Sequence, residues 1–241
     1  MIEALVWGLI SSAALFLGQA LAKPLGRSER AIGLMMGFGG GTLLAAVAYE
    51  LIPEENIENG WRLVLWALVG ALVYYVGDRV IDSRGGEHRV AIQQGKGTGG
   101  SGMAMFLGAL LDGIPEAFIL GLGLALGGQI SVAFVAAIFV SNVPQGLAGT
   151  TSLQEAGTPS RRIAVMWGLL TLACGVAAAL GYVMADGLDN LGVYASAFAG
   201  GAVLMMLADS MIPESYRHGG RTVGLLTVVG FLVAGILTVL Q

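Results

Sequence analysis

Charge is scarce in this chain. Of its 241 residues, 12% are charged, against about a quarter in a soluble globular domain, while 56% are hydrophobic and the mean hydropathy is +0.79. Too few polar side chains remain to cover a soluble fold, so the composition indicates a polytopic membrane protein. One cysteine, Cys174, excludes an internal disulfide and leaves the redox compartment open. No basic cluster is interleaved with aromatics, and a nucleic-acid partner is set aside. The two histidines, His88 and His218, fall in loops between the apolar runs and are expected to be solvated. With no His in any span, no His-Glu-x-x-His and no Gly-x-Ser-x-Gly, no enzyme is expected.

Long apolar runs and glycine (39 residues) are what the chain has in quantity. A spanning helix needs about 20 mostly apolar residues. Eight runs qualify: 2–22, 31–52, 62–81, 103–126, 129–151, 163–185, 192–212 and 221–240. Ala20-Leu21-Ala22 imitates a signal-peptidase site, but Glu3 and a spanning-length run precede it, with no basic residue, so the segment reads as the first helix. The connections are short and carry Gly, Pro or charge, as at Lys23-Pro24 and Thr158-Pro159-Ser160. The exception is 82–102, which becomes Gly/Ser-rich and reads as a flexible linker. The chain is expected to be one transmembrane domain, 1–241, with Trp7, Trp61 and Trp167 in the interfacial belt.

Of the 12 Lys and Arg residues, every one but Arg62 falls at the loops 1–2, 3–4, 5–6 and 7–8, which share one face of an eight-span chain. The positive-inside rule makes that face cytoplasmic. Both termini are therefore expected outside and the 82–102 linker inside. One missed or spurious helix would scramble this asymmetry, so it also supports the span count.

Two helices match at an offset of 160. Phe38-Gly39-Gly40-Gly41 with Ala48-Tyr49-Glu50-Leu51-Ile52-Pro53-Glu54 aligns with Phe198-Ala199-Gly200-Gly201 and Ala208-Asp209-Ser210-Met211-Ile212-Pro213-Glu214. By the charge count, Ile52-Pro53-Glu54 ends helix 2 outside and Ile212-Pro213-Glu214 ends helix 7 inside. The reading is an inverted-topology repeat, helices 1–3 against 6–8 with 4 and 5 between (3+2+3), as in secondary transporters with a midplane site. Two ordinary helix ends followed by proline are the plainer alternative. Glu50 and Asp209 would then line vestibules or serve as interfacial charges.

The polar centre lies in helices 4 and 5. Asp112 and Glu116 are four apart, hence on one helix face, and Pro115 between them lacks an N–H and bends the helix. A charge at mid-membrane depth costs roughly 2.5–3.5 kcal/mol on insertion scales. No Lys or Arg occupies a helix core to neutralise the pair, so a bound cation or protonation must. On helix 5, Ser141 and Gln145 share the same spacing, with Asn142 and Pro144 between. Joined by a short loop, the two helices are antiparallel neighbours, and Asp112, Glu116, Ser141, Asn142 and Gln145 form a candidate oxygen-rich cage for a cation. Proton relay and interhelical hydrogen bonding are the other uses of such groups. Cys174 reads as a small buried hydrophobe.

These features together resemble the ZIP (Zrt-/Irt-like) divalent metal transporters over nearly the whole chain. In that family helix 4 carries His-Asn-x-Pro-Glu-Gly, and helix 5 carries His or Gln, then Glu or Asp, x-Pro-Glu-Gly. Here the matching stretches are Asp112-Gly113-Ile114-Pro115-Glu116-Ala117 and Ser141-Asn142-Val143-Pro144-Gln145-Gly146. Glu116 matches in type; Asp112 replaces a histidine, Gln145 an acid, and Cys174 aligns loosely with a helix 6 glutamate. The resemblance implies an eight-helix carrier moving a divalent metal cation toward the cytoplasm, with one site rather than two. Without imidazole the ligands lean toward Mn²⁺ or Mg²⁺ over Zn²⁺, with Fe²⁺ not separated from these. The cation is substrate, and no cofactor is required. Expected partners are the bilayer of a cell (inner) membrane, the cation and, for a homodimer, a second copy. The competing reading is a protein that kept the fold but lost metal transport, or carries another solute with protons.

Overall fold

In the computed structural model, residues 1–26, 28–50, 60–81, 83, 102–127, 132–186 and 191–240 are described, and among them there is no strand. Eight helices are long and apolar enough to cross a membrane: Ile2–Leu25, Glu29–Tyr49, Gly60–Val80, Phe106–Ala125, Val132–Glu155, Ser160–Ala185, Val193–Gly219 and Thr222–Val239 (spans 1–8). This is the architecture of a multi-pass membrane protein. Helix is the expected choice, because an apolar segment in hydrocarbon must satisfy every backbone N–H and C=O within itself. The 82–102 linker lies outside the described residues except for Ser83 and Gly102, and Ile52-Pro53-Glu54 lies outside them entirely.

Span 5 lies at the centre, with 72% of its most apolar window buried, while spans 3 and 8 are outermost at 17% and 22%. Span 2 packs on span 8, span 3 on span 7, span 4 on span 6, and span 1 on both 5 and 6. Spans 2 and 5, and spans 4 and 7, pack together as well. The outward faces of spans 3 and 8 carry exposed Trp61, Val64, Leu68, Leu72, Leu225, Leu232 and Ile236, as lipid-facing helices do.

Four of these contacts share one construction. A Cβ on Gly41 would collide with the carbonyl of Thr227, and one on Gly230 with the carbonyl of Phe38. The same reciprocal collision joins Gly201 to Ala67 and Gly70 to Phe198, Gly121 to Ala178 and Gly181 to Phe118, and Gly18 to Val143 and Gly146 to Leu15. Each glycine thus faces the carbonyl three residues before its partner glycine. The contacts also advance together along the paired helices, Gly37 against Val223 and Gly41 against Thr227, Gly113 against Cys174 and Gly121 against Ala178, so these helices run in the same direction. Only glycine lets the backbones come so close.

Several local expectations need correction. Pro24 lies inside the helix Ala14–Leu25 rather than in a loop. Ile212-Pro213-Glu214 does not end span 7: a π-helical turn, Leu207–Met211, leads into a further helix, Ile212–Gly219. Pro213 sits at the start of that helix, where its missing N–H is tolerated. Trp167 is 1% exposed rather than interfacial, and its Nε1 donates to Thr150 Oγ1 at 3.0 Å. That hydrogen bond is what allows a buried indole. Trp61 is exposed beside Arg62, whose guanidinium lies 5.4 Å from its ring.

Candidate functional site

Span 4 runs as one helix, Gly102–Gly127, with Pro115 inside it, and span 5 as Val132–Glu155 with Pro144 inside. The i,i+4 spacing holds Asp112 and Glu116 on one face, and both are buried, at 6% and 1% exposure. Tyr74 of span 3 donates its hydroxyl to Asp112 Oδ1. Both oxygens of Glu116 are buried, and among the described residues neither has a hydrogen-bond partner. Buried polar atoms are nearly always paired, so Glu116 marks a place where something beyond these side chains is needed.

Around this pair the bundle is closed by small residues. Gly113, one position after Asp112, faces span 6, and a Cβ there would stand 3.1 Å from Cys174 Sγ. Cys174 is buried and hydrogen-bonded to Ser12. The small buried character expected of Cys174 is therefore observed, but at the edge of the acidic pair.

Ser141 and Asn142 are buried and Gln145 is half-buried. Ser141 Oγ donates to the carbonyl of Ile138 at 2.9 Å, and its Cα backs onto Gly39 of span 2, where a Cβ would lie 2.9 Å away. Asn142 Nδ2 donates to the carbonyl of Ser11 in span 1 at 3.4 Å. Those bonds use the Ser141 hydroxyl proton and one Asn142 N–H, and leave the hydroxyl lone pairs and the Asn142 amide oxygen as acceptors. Spans 4 and 5 touch, but the contacts of these side chains run to spans 3, 1 and 2. Among the described residues no three His, Cys, Asp or Glu side chains converge on one point. A cation here would have two carboxylates and would complete its shell from hydroxyl, amide and carbonyl oxygens or water, the donor set of hard ions.

The structure adds features that sequence reasoning missed. Span 1 is two helices, Ile2–Ser12 and Ala14–Leu25, meeting at Ala13. The break offers the carbonyl of Ser11 to Asn142 and that of Ser12 to Thr171 Oγ1 at 3.4 Å. No Gly or Pro announces it, and Ser11-Ser12 is the one local signal. Span 3 contributes Tyr74, with Asp78 buried one turn further on. Their helical spacing on an otherwise apolar segment was the signal available for them. His218 is not a solvated loop residue. It lies in the helix Ile212–Gly219 with its ring between Glu29 Oε2 (3.1 Å, Nδ1) and Glu214 Oε1 (2.7 Å, Nε2), and Glu214 also meets Arg217 at 3.4 Å. That cluster ties the start of span 2 to the end of span 7, away from the acidic pair. Asp209 is exposed within the π-helical turn, while His88 and the side chain of Glu50 lie outside the described residues. Neither the known family models nor the curated proteins contain a match to this chain.

Proposed function

We propose that this protein is a ZIP-like secondary transporter that moves a divalent metal cation across a cell (inner) membrane through a site on spans 4 and 5. The observation that carries the reading is Glu116: a carboxyl buried beside a second carboxyl, with no hydrogen-bond partner among the described residues and no Lys or Arg near mid-span. A substrate cation would be held by Asp112 and Glu116, with Ser141, Asn142 and Gln145 offering neutral oxygens from span 5. The pair supplies the negative charge, and the hard oxygen set favours Mn²⁺ or Mg²⁺ over Zn²⁺.

The inverted repeat belongs to this reading, and the packing supports it. The crossing of Gly41 with Gly230 and that of Gly201 with Gly70 are related by the 160-position offset found in the sequence. The crossing of Gly18 with Gly146 and that of Gly181 with Gly121 are related by 163 positions between spans 1 and 6, and by 25 between spans 4 and 5. Spans 1–3 would thus correspond to 6–8, and span 4 to 5, about an axis in the membrane plane, with both termini outside. Broken or distorted helices at the substrate site are the habit of such carriers. Here the break at Ala13, Pro115, Pro144 and the turn at Leu207–Met211 distort spans 1, 4, 5 and 7.

The test is uptake of Mn²⁺ and Zn²⁺ by proteoliposomes. Wild type should transport, and Asp112→Asn combined with Glu116→Gln should reduce uptake to the protein-free leak; undiminished uptake by the double variant would sink the proposal. The second reading, a ZIP fold that has lost metal transport or carries another solute with protons, is favoured by the finding that, among the described residues, no three His, Cys, Asp or Glu side chains are grouped so as to hold a metal ion. Equilibrium dialysis separates the two: no binding of any divalent ion to the purified protein selects the second.

A further inference from the structure

The helix Ile212–Gly219 that closes span 7 lies directly on the start of span 2. A Cβ on Gly33 would stand 2.5 Å from the Gly219 nitrogen and 2.9 Å from the Ser215 carbonyl oxygen. Between the two helices the His218 side chain is 7% exposed, and both of its ring nitrogens face acids. Nδ1 lies 3.1 Å from Glu29 Oε2, and Nε2 lies 2.7 Å from Glu214 Oε1. A neutral imidazole has one N–H and one lone pair, so it can donate to only one of two carboxylates. Its lone pair would face the other, acceptor against acceptor. The two contacts together therefore call for one proton more than a neutral ring and two carboxylates carry. Glu214 meets Arg217 through its other oxygen at 3.4 Å, an ion pair that uses the carboxylate form. A second proton on the ring serves both acids at once. The helix end also suits an imidazolium: Gly220, at φ +67, stops the helix two residues later, and the free carbonyls of a last turn favour a cation.

We propose that His218 is a proton-operated tie between spans 2 and 7, closed while the ring is an imidazolium and opened when the ring loses its second proton. Imidazole is the side chain whose charge ordinarily changes between about pH 5 and 8. The two acids it joins are not equivalent. Glu214 stands on the same helix, four positions earlier, and its side chain is 10% exposed; that of Glu29, on span 2, is 41% exposed. A neutral ring keeps its N–H on Nε2, for the shorter and more buried contact. The Nδ1 lone pair then faces Glu29, whose carboxylate can turn to water. The contact given up is the one between spans. The π-helical turn Leu207–Met211 sets this last helix apart from the rest of span 7 and supplies a joint at which it can shift on span 2. The tie thus adds stability at low pH and loses it as pH rises. The other charged or titratable groups on the elements packed here are Tyr216 and Arg217 of the same helix, Arg30 of span 2, Asp209 of the π-helical turn and Arg221 beside span 8. All of these are exposed, as is Glu155 at the end of span 5. Asp112 and Glu116 take no part, so the tie stands or falls separately from the cation site.

The test uses the full-length protein in detergent with His88→Gln, so that histidine labelled in its ring nitrogens reports on His218 alone by magnetic resonance. Near the acid limit of that range, about pH 5, both nitrogens should carry protons; beyond its alkaline limit, about pH 8, the ring should be the neutral Nε2–H form. Over the same interval the midpoint of thermal unfolding should fall by roughly 2–4 °C more than it does when His218→Gln is added, the scale of one partly exposed charged contact in a chain of this length. Glu29→Gln separates the tie from a merely structural histidine. Its amide can accept from an N–H or donate to a lone pair, so it holds either form of the ring, and the extra fall should disappear. A neutral ring at about pH 5 would overturn the proposal, because the added proton would then sit on an acid. Persistence of the extra fall in Glu29→Gln would overturn it as well.

Discussion

Glu116 shows how much can depend on one side chain. Its two oxygens are buried without a partner among the described residues, one helical turn from the buried Asp112. Replacing a buried ionisable group by an apolar one of similar volume is often neutral or stabilising. Glu116→Met is therefore expected to stabilise the metal-free protein by about 1 kcal/mol, read as a higher midpoint of thermal unfolding in detergent, while abolishing cation binding. A fall in the midpoint would mean that Glu116 is a structural group with a partner. The position of the acidic pair was legible from the sequence, since two acids in a run such as Ala109–Leu120 have no ordinary role in lipid. The identity of their neighbours was not. Tyr74 is 38 positions from Asp112, and no local pattern links the two.

Among helices, the glycine crossings decide how the bundle is assembled. Lipid removes most of the hydrophobic drive between helices, and close backbone approach supplies van der Waals contact in its place. At Gly121 a Cβ would overlap the carbonyl of Ala178, which belongs to backbone and cannot rotate away. Gly121→Leu is expected to separate spans 4 and 6 and destabilise the protein by roughly 1–3 kcal/mol or more, as overpacking does. At Gly123, where a Cβ would meet nothing within 4 Å, Gly123→Leu should be near neutral. Comparing the unfolding midpoints of the two variants checks this. Glycine enrichment was visible in the composition, and Gly41 and Gly201 stood out in the repeat. The pairing of Gly18 with Gly146 was hidden, because it joins helices 128 positions apart. The break in span 1 was hidden for a different reason: Ser11-Ser12 is compatible with an unbroken helix, and its carbonyls are taken up by Asn142 and Thr171 on other spans.

For the molecule as a whole, the uneven distribution of Lys and Arg predicts which face is cytoplasmic. In a Cys174→Ala background, Ser83→Cys is expected to react with a membrane-impermeant maleimide only from the cytoplasmic side, and Ile2→Cys only from the outside. Both positions are exposed, so access to the reagent depends on the membrane alone. Labelling of both from one side would refute the eight-span topology with outside termini. Tertiary contact also changed the meaning of two residues that composition placed at the surface. Trp167 is held inside by Thr150, and His218 is held between Glu29 and Glu214, 189 and 4 positions away.

The amino-acid sequence alone determined that the chain is helical, that eight of its runs are long and apolar enough to span a membrane, and where the costly acids lie. Each of these follows from the free energy of moving a residue from water to hydrocarbon, which depends on residue type and local run length. Only the tertiary structure decided which helices cross at their glycines, that Ser11 and Ser12 give their carbonyls to other spans, and that Tyr74 and Asp78 turn inward from an otherwise lipid-facing helix. Those outcomes depend on which distant segment supplies the partner, and hydropathy carries no record of that choice.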